Sequence, residues 1–96
     1  MIKLVLQPRA THDLEEIEEF SFNQFGSAAA AEYMAKLERV FDRLALYPES
    51  GPLYPDAWPP VRHTRSGQHY VFYDYDGLSV SVIRILHHAR VPDDFF

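Results

Sequence analysis

Two periodicities divide the chain. From residue 8 to residue 47 apolar positions recur every three or four residues, and from 68 to 88 they largely alternate. The alternating part reads Gln68-His69-Tyr70-Val71-Phe72-Tyr73-Asp74-Tyr75, then Asp76-Gly77, then Leu78-Ser79-Val80-Ser81-Val82-Ile83-Arg84-Ile85-Leu86-His87-His88. Runs of β-branched and aromatic residues around Asp-Gly predict a hairpin, because a type I′ loop needs positive φ at both central positions and these two residues tolerate it. Counting back from that loop pairs Tyr75 with Leu78, Tyr73 with Val80 and Val71 with Val82 on one face. Asp74 with Ser79, Phe72 with Ser81, Tyr70 with Ile83 and Gln68 with Ile85 share the other. The first face is apolar throughout. The second is polar near the turn and apolar and aromatic beyond it, so it is the expected functional surface. A bulge near Val82-Ile83, where the apolar phase slips, would reverse the faces beyond it.

The helical part begins after a short alternating run, Ile2 to Gln7, that predicts a strand. Pro8 suits a first helical position, where its missing N–H costs nothing. Ala10, Leu14, Ile17, Ser21 and Phe25 then form one helical stripe, which Gly26 ends. Asp13, Glu15, Glu16, Glu18 and Glu19 lie off the stripe, and read either as a solvated acidic face or as a docking strip for a basic segment. Ser27 is the expected N-cap of a second helix, whose apolar positions are Ala30, Tyr33, Met34, Leu37, Phe41 and Leu44 and which Pro48 ends near Tyr47. So short a joint predicts an antiparallel helical hairpin.

Residues 48–60, with Pro48, Gly51, Pro52, Pro55, Pro59 and Pro60, predict an extended connecting loop. Its Trp58 either plugs the edge of the core or anchors a partner. Val61 to Arg65 reads as a strand turning through Ser66-Gly67 into the hairpin, with His63 opposite Tyr70 and Arg65 opposite Gln68. Phe95 and Phe96 in the tail either fold back on the body or await a partner. Residues 1–96 therefore form a single domain.

Composition narrows the function. The 96 residues are 47% hydrophobic and 24% charged, as in an ordinary globular protein, with a net charge of −5. Proteins that grip phosphates usually carry a basic field, so direct nucleic-acid binding is not expected. The chain has no cysteine, which excludes disulfides and fits a reducing cytoplasm. No run suggests a signal peptide or a membrane span. The five histidines, at 12, 63, 69, 87 and 88, lack metal-ligand spacing, so neither a metal nor a cofactor is expected. If the register is right, His63, Arg65, Tyr70, Ile83 and His87 share one sheet face. Imidazoles that move protons beside a guanidinium that holds phosphate are what RNA cleavage needs, and amphipathic surface residues are the plainer explanation.

The order of elements, with Asp13-Leu14, Ile17, Tyr33, Leu37, Leu44, Pro48 and Gly51, resembles the toxins of the RelE/ParE superfamily. Arg62, then Gly67-Gln68-His69-Tyr70-Val71-Phe72-Tyr73, then Val82-Ile83-Arg84-Ile85-Leu86-His87-His88-Ala89-Arg90 is similar to the ParE branch in particular. The resemblance implies an α+β fold: an N-terminal strand and an antiparallel helical hairpin on one face of a twisted three- to four-stranded antiparallel sheet. It also implies a cytoplasmic type II toxin, associated with plasmid stabilisation, that inhibits DNA gyrase without catalysing a reaction. Such a toxin is neutralised by a ParD-like antitoxin, through which alone it meets operator DNA.

The alternatives are a RelE-like ribosome-dependent mRNA endonuclease acting through His63, Arg65, Tyr70 and His87, or a non-toxic interaction module of the same fold. Tyr70 where RelE-like chains often carry arginine, the acidic charge and the lack of any lysine after Lys36 speak against RNA cleavage. The expected partner contacts are Trp58 in the loop, Phe95 and Phe96 in the tail, and Arg62, Arg65, Tyr70, Phe72, Ile83, Ile85 and His87 on the sheet.

Overall fold

The structure, a computed structural model, describes residues 2–55, 57 and 59–90. A strand, two helices and three more strands follow in order: β1 (Lys3–Leu6), α1 (Pro8–Phe25), α2 (Ser27–Leu46), β2 (Arg62–Ser66), β3 (His69–Tyr75) and β4 (Ser79–His87). Pro8 opens α1, as its fixed φ predicts. Gly26 alone separates the helices, with φ 90°, a backbone conformation that favours glycine. It caps both helices, so Ser27 is the first residue of α2 rather than its cap. Among the described residues no helix is long and apolar enough to cross a membrane.

The α+β expectation holds, and the sheet order is β1-β4-β3-β2. Strands β2, β3 and β4 form an antiparallel meander, whereas β1 joins β4 in parallel, from Lys3 opposite Ser79 to Leu6 opposite Val82. The sheet is therefore mixed rather than antiparallel. A parallel neighbour needs a long crossover, which the helical hairpin and the strands after it supply. Ala10 and Ile17 of α1 and Leu37, Val40 and Leu44 of α2 close over Val71, Tyr73, Val80, Val82 and Ile85.

The hairpin register is displaced by two residues from the count made on Asp76-Gly77. Tyr75 pairs with Val80 and Tyr73 with Val82. The two-residue loop is Gly77-Leu78, and only Gly77 has positive φ, at 92°, as a type II′ turn requires. Asp76 instead closes the loop, its carboxylate accepting the N–H groups of Leu78 and Ser79 at 2.8 Å each. The donor on Ser79, followed by that on Leu78, holds the Asp76 carboxyl below its ordinary range. The turn before it slips equally, with Arg65 opposite Tyr70 and His63 opposite Phe72. A shift of two preserves every face assignment before the bulge.

That bulge lies where the apolar phase slips. Tyr73 faces Val82, yet Phe72 faces Arg84, leaving Ile83 as the extra residue. Ile83 packs on the reverse face, while Arg84 and Ile85 both reach the helical side. Under α1, the Arg84 guanidinium donates to Asp13 through Nε at 2.7 Å and Nη2 at 2.8 Å. Asp13 Oδ2 also accepts the Ile85 N–H at 3.0 Å. Asp13 is thus buried, in contrast to Glu15, Glu16, Glu18 and Glu19, which are exposed as a solvated acidic face should be. Donating hydrogen bonds to the Asp13 carboxylate raises the Arg84 pKa.

Removing one partner of such a pair leaves the other charged in a dry site. Asp13→Ala is therefore expected to lower unfolding free energy by about 3–5 kcal/mol. Replacing both, as Asp13→Leu with Arg84→Met, is expected to recover most of that loss, because the desolvation cost disappears as well. Urea denaturation of the single and double variants measures the difference.

Candidate functional site

The reverse side of the sheet carries an aromatic cluster. His63 lies 5.3 Å from Tyr54, 5.8 Å from Tyr70 and 6.2 Å from Phe72, centroid to centroid. Tyr54 meets Phe72 edge-on at 5.5 Å. Arg65 is exposed, with its guanidinium carbon 5.6 Å from the centre of the Tyr70 ring and its Nε donating to the Gly67 carbonyl at 2.8 Å. Ile83 and Tyr70, both half-buried, pack against this cluster. The sequence expectation of an open apolar face meets a correction here. Phe72 is only 1% exposed, because Ala57, Val61 and Leu86 pack with it while Tyr54 crosses it.

The cover is the proline-rich loop, laid along β2 instead of looping away from the body. The Tyr54 N–H bonds the Val61 carbonyl at 2.7 Å and the His63 N–H bonds that of Pro52 at 3.0 Å. The Arg62 guanidinium donates to the carbonyls of Glu49 and Gly51, at 3.3 and 2.8 Å. Gly51 in turn donates its N–H to the buried Tyr73 hydroxyl at 2.9 Å. A Cβ on Gly51 would fall 2.5 Å from the His63 carbonyl oxygen, so only glycine allows this approach.

The other predicted residues separate. Arg62 buckles the loop, and Ile85 is a core residue at 2% exposure, turned inward by the bulge. His87 lies across the sheet from His63, edge-on to His69 at 5.6 Å and beside Ile17 and Phe20 of α1. The four residues of the nuclease alternative therefore do not share one face: His63, Arg65 and Tyr70 stand on one and His87 on the other. Trp58, Phe95 and Phe96 lie outside the described residues.

The His87 side forms a groove that the sequence reading missed, bounded by Ile17 and Phe20 of α1 and by His69, Ile85 and His87 of the sheet. Its signal was present in Phe20, an apolar residue off the helical stripe, which is 60% exposed. Tyr33 of α2 sits at one end and fastens the β2–β3 turn. One assignment satisfies its hydroxyl: it donates to the Ser66 carbonyl at 3.0 Å while accepting from the Gln68 N–H at 3.0 Å and from His69 Nδ1 at 2.6 Å. Burial raises the pKa of this phenol. Burial, and then the neighbouring His87 and His88, lower His69 to about 4 against an opposing pull from Asp13. His69 is therefore neutral at pH 7.

Among the described residues, His12, Asp13 and Glu16 alone bring nitrogen and oxygen ligand atoms together, within 4.8 Å. Asp13 already serves Arg84, so a cation there would compete with a buried guanidinium.

A family model described as the ParE toxin of the type II toxin–antitoxin system parDE matches residues 4–92. Toxin ParE1 of Mycobacterium tuberculosis (strain H37Rv) is 31% identical over 92 residues, covering 95% of this chain and 94% of that protein. Toxin ParE1 of Caulobacter vibrioides is 33% identical over 84 residues, covering 88% and 86%. A solved structure described as the chromosomal ParDE TA system from P. aeruginosa superposes with a TM-score of 0.78 at 19% identity, covering 91% of this chain and 96% of that one, a likeness of fold.

Two outcomes test the Tyr33 fastening. Gly67 has φ 57°, and a Cβ there would stand 2.8 Å from the Tyr33 ring. Gly67→Ala is expected to cost about 1–3 kcal/mol in urea denaturation. The second outcome concerns pH. His69 titrates near 4 in the fold and near 6.5 unfolded, so below 6.5 the unfolded chain takes up the proton first. The His69 contribution is complete above pH 6.5 and is lost as pH falls toward 4. The denaturation midpoint of the unsubstituted chain should fall more steeply between pH 7 and pH 5 than that of His69→Gln.

Proposed function

The chain belongs to the ParE toxin family of type II toxin–antitoxin systems, and on that premise we propose that it acts by binding DNA gyrase and is held inactive by an antitoxin of the ParD kind. One observation carries the choice of a binding function over a catalytic one. The imidazoles of His63 and His87, which a nuclease would use in concert, stand on opposite sides of the sheet. His63 Nδ1 also lies 3.2 Å from the Pro52 carbonyl, engaged by the loop. The net charge of −5 supports the same reading, since it repels a polyphosphate substrate.

Among the described residues of the aromatic side, exposed Arg65 lies over half-buried Tyr70, with half-buried Ile83 in the same cluster. Arginine and tyrosine are over-represented among residues that dominate protein interfaces, because each offers a large rigid contact with a polar end. We assign this patch to the antitoxin, whose docking segment orders as it binds.

The test induces the chain without its antitoxin, then follows plasmid supercoiling by purified gyrase and the integrity of cellular mRNA. Loss of supercoiling with intact messages is expected. Codon-specific message cleavage with gyrase unaffected would replace this reading with RNA cleavage. Arg65→Glu with Tyr70→Ala is expected to weaken antitoxin binding at least about tenfold. Titration calorimetry on the folded variant reads that loss.

A further inference from the structure

Two imidazoles face each other where the β3–β4 ladder opens. His69 begins β3, His87 ends β4, and the two are direct cross-strand partners. Directly opposed residues hold their Cβ atoms about 4.5–5.5 Å apart, close enough for two imidazoles on one side of a sheet to share an ion. Spacing along the chain hides this pair, because strand pairing makes it rather than a helical turn or a short loop.

The ring positions fit a shared ion. Metal–nitrogen bonds of about 2.0–2.1 Å at a tetrahedral angle set two imidazole centroids roughly 5 Å apart. The rings of His69 and His87 stand 5.6 Å apart at 89°. His69 is already oriented, since its Nδ1 is tied to the Tyr33 hydroxyl at 2.6 Å, which leaves Nε2 as the ligand atom. A hydrogen bond at the other ring nitrogen is what fixes metal-binding histidines. His87 is exposed, and its Nδ1 accepts the Ala89 N–H at 3.2 Å, a long bond that water replaces when the ring turns. The His88 ring lies 4.4 Å from that of His87 at 31°, closer to face-to-face. An ion lies in the plane of the ring that ligates it, so this second pairing is the poorer one.

We propose that His69 and His87 bind one borderline divalent transition-metal ion of the Zn²⁺ class, with water filling the remaining positions. Imidazole nitrogens suit zinc, copper and nickel, whereas magnesium and calcium take oxygen ligands. Glu16 lines the same groove and sets a negative charge against that of Arg90. The ion ties together the outermost pair of the β3–β4 ladder, beside the turn that Tyr33 fastens.

The test titrates Zn²⁺ into the full-length chain by calorimetry in chelator-treated buffer, and reads the thermal midpoint with and without the ion. One ion per chain is expected, with a raised midpoint. His87→Gln, at an exposed position that leaves the core intact, is expected to weaken Zn²⁺ binding at least about tenfold and to abolish the rise. His12→Gln with His63→Gln is expected to keep the affinity within about threefold. The imidazole NMR signals of His69 and His87 are expected to shift on binding, and those of His12 and His63 to stay in place. Absence of saturable Zn²⁺ uptake, or equal affinity in His87→Gln, would overturn the proposal. So would a loss confined to the His12 and His63 double variant, which would move the ion to the other end of α1. A tenfold loss in His88→Gln with none in the His69 signals would replace the cross-strand pair with His87 and His88.

Discussion

The carboxylate of Asp13 is the point at which helix layer and sheet are locked in one relative position. It takes two hydrogen bonds from the Arg84 guanidinium and a third from the backbone of Ile85, all in a buried setting. A buried ion pair is weak evidence of net stability, because desolvation offsets the attraction. Its value is directional. The pair is satisfied only when β4 carries its extra residue at Ile83, because that residue lets Arg84 and Ile85 both address α1. A strand in simple alternation would turn Ile85 to the reverse face and leave Asp13 without its backbone donor. The register of β4, the seat of α1 and the position of His87 in the groove therefore stand or fall together.

Much of this arrangement was legible in the sequence, and the misses have physical causes. Helical period located both helices, and Pro8, Gly26 and Pro48 fixed their limits to within a residue. Strand parity located the faces of β3, since a displaced loop moves pairing by two and changes no side. The displacement itself came from Asp76, whose side chain accepts hydrogen bonds from the turn, which makes it a closing residue rather than a central one. Asp13 was read as one more member of an acidic face, because periodicity does not distinguish a solvated carboxylate from one that meets a partner 71 residues away.

The largest departure concerns the loop. Proline and glycine correctly marked 48–60 as irregular, yet composition carries no direction, and the segment lies across the aromatic face instead of projecting from it. Gly51 and Arg62, two residues already singled out by resemblance to a family, are its fasteners. The surface left for partners is consequently divided in two. One patch, at Arg65 and Tyr70, adjoins the aromatic cluster of His63 and Phe72. The other, by Phe20 and His87, borders α1 and the turn that Tyr33 holds. Among the described residues, one small sheet thus presents two chemically different surfaces.

The parallel pairing of β1 with β4 has a consequence for biogenesis. Residues 3–6 leave the ribosome well before their hydrogen-bonding neighbours, 79–82. Such distant pairing delays closure of the native topology, since the intervening polypeptide must emerge before the edges meet. A nascent or prematurely terminated product lacking β4 has no completed sheet, no seat for the Asp13 carboxylate and no groove. The sheet therefore closes only once β4 has emerged, some seventy residues of synthesis after the strand it must pair with.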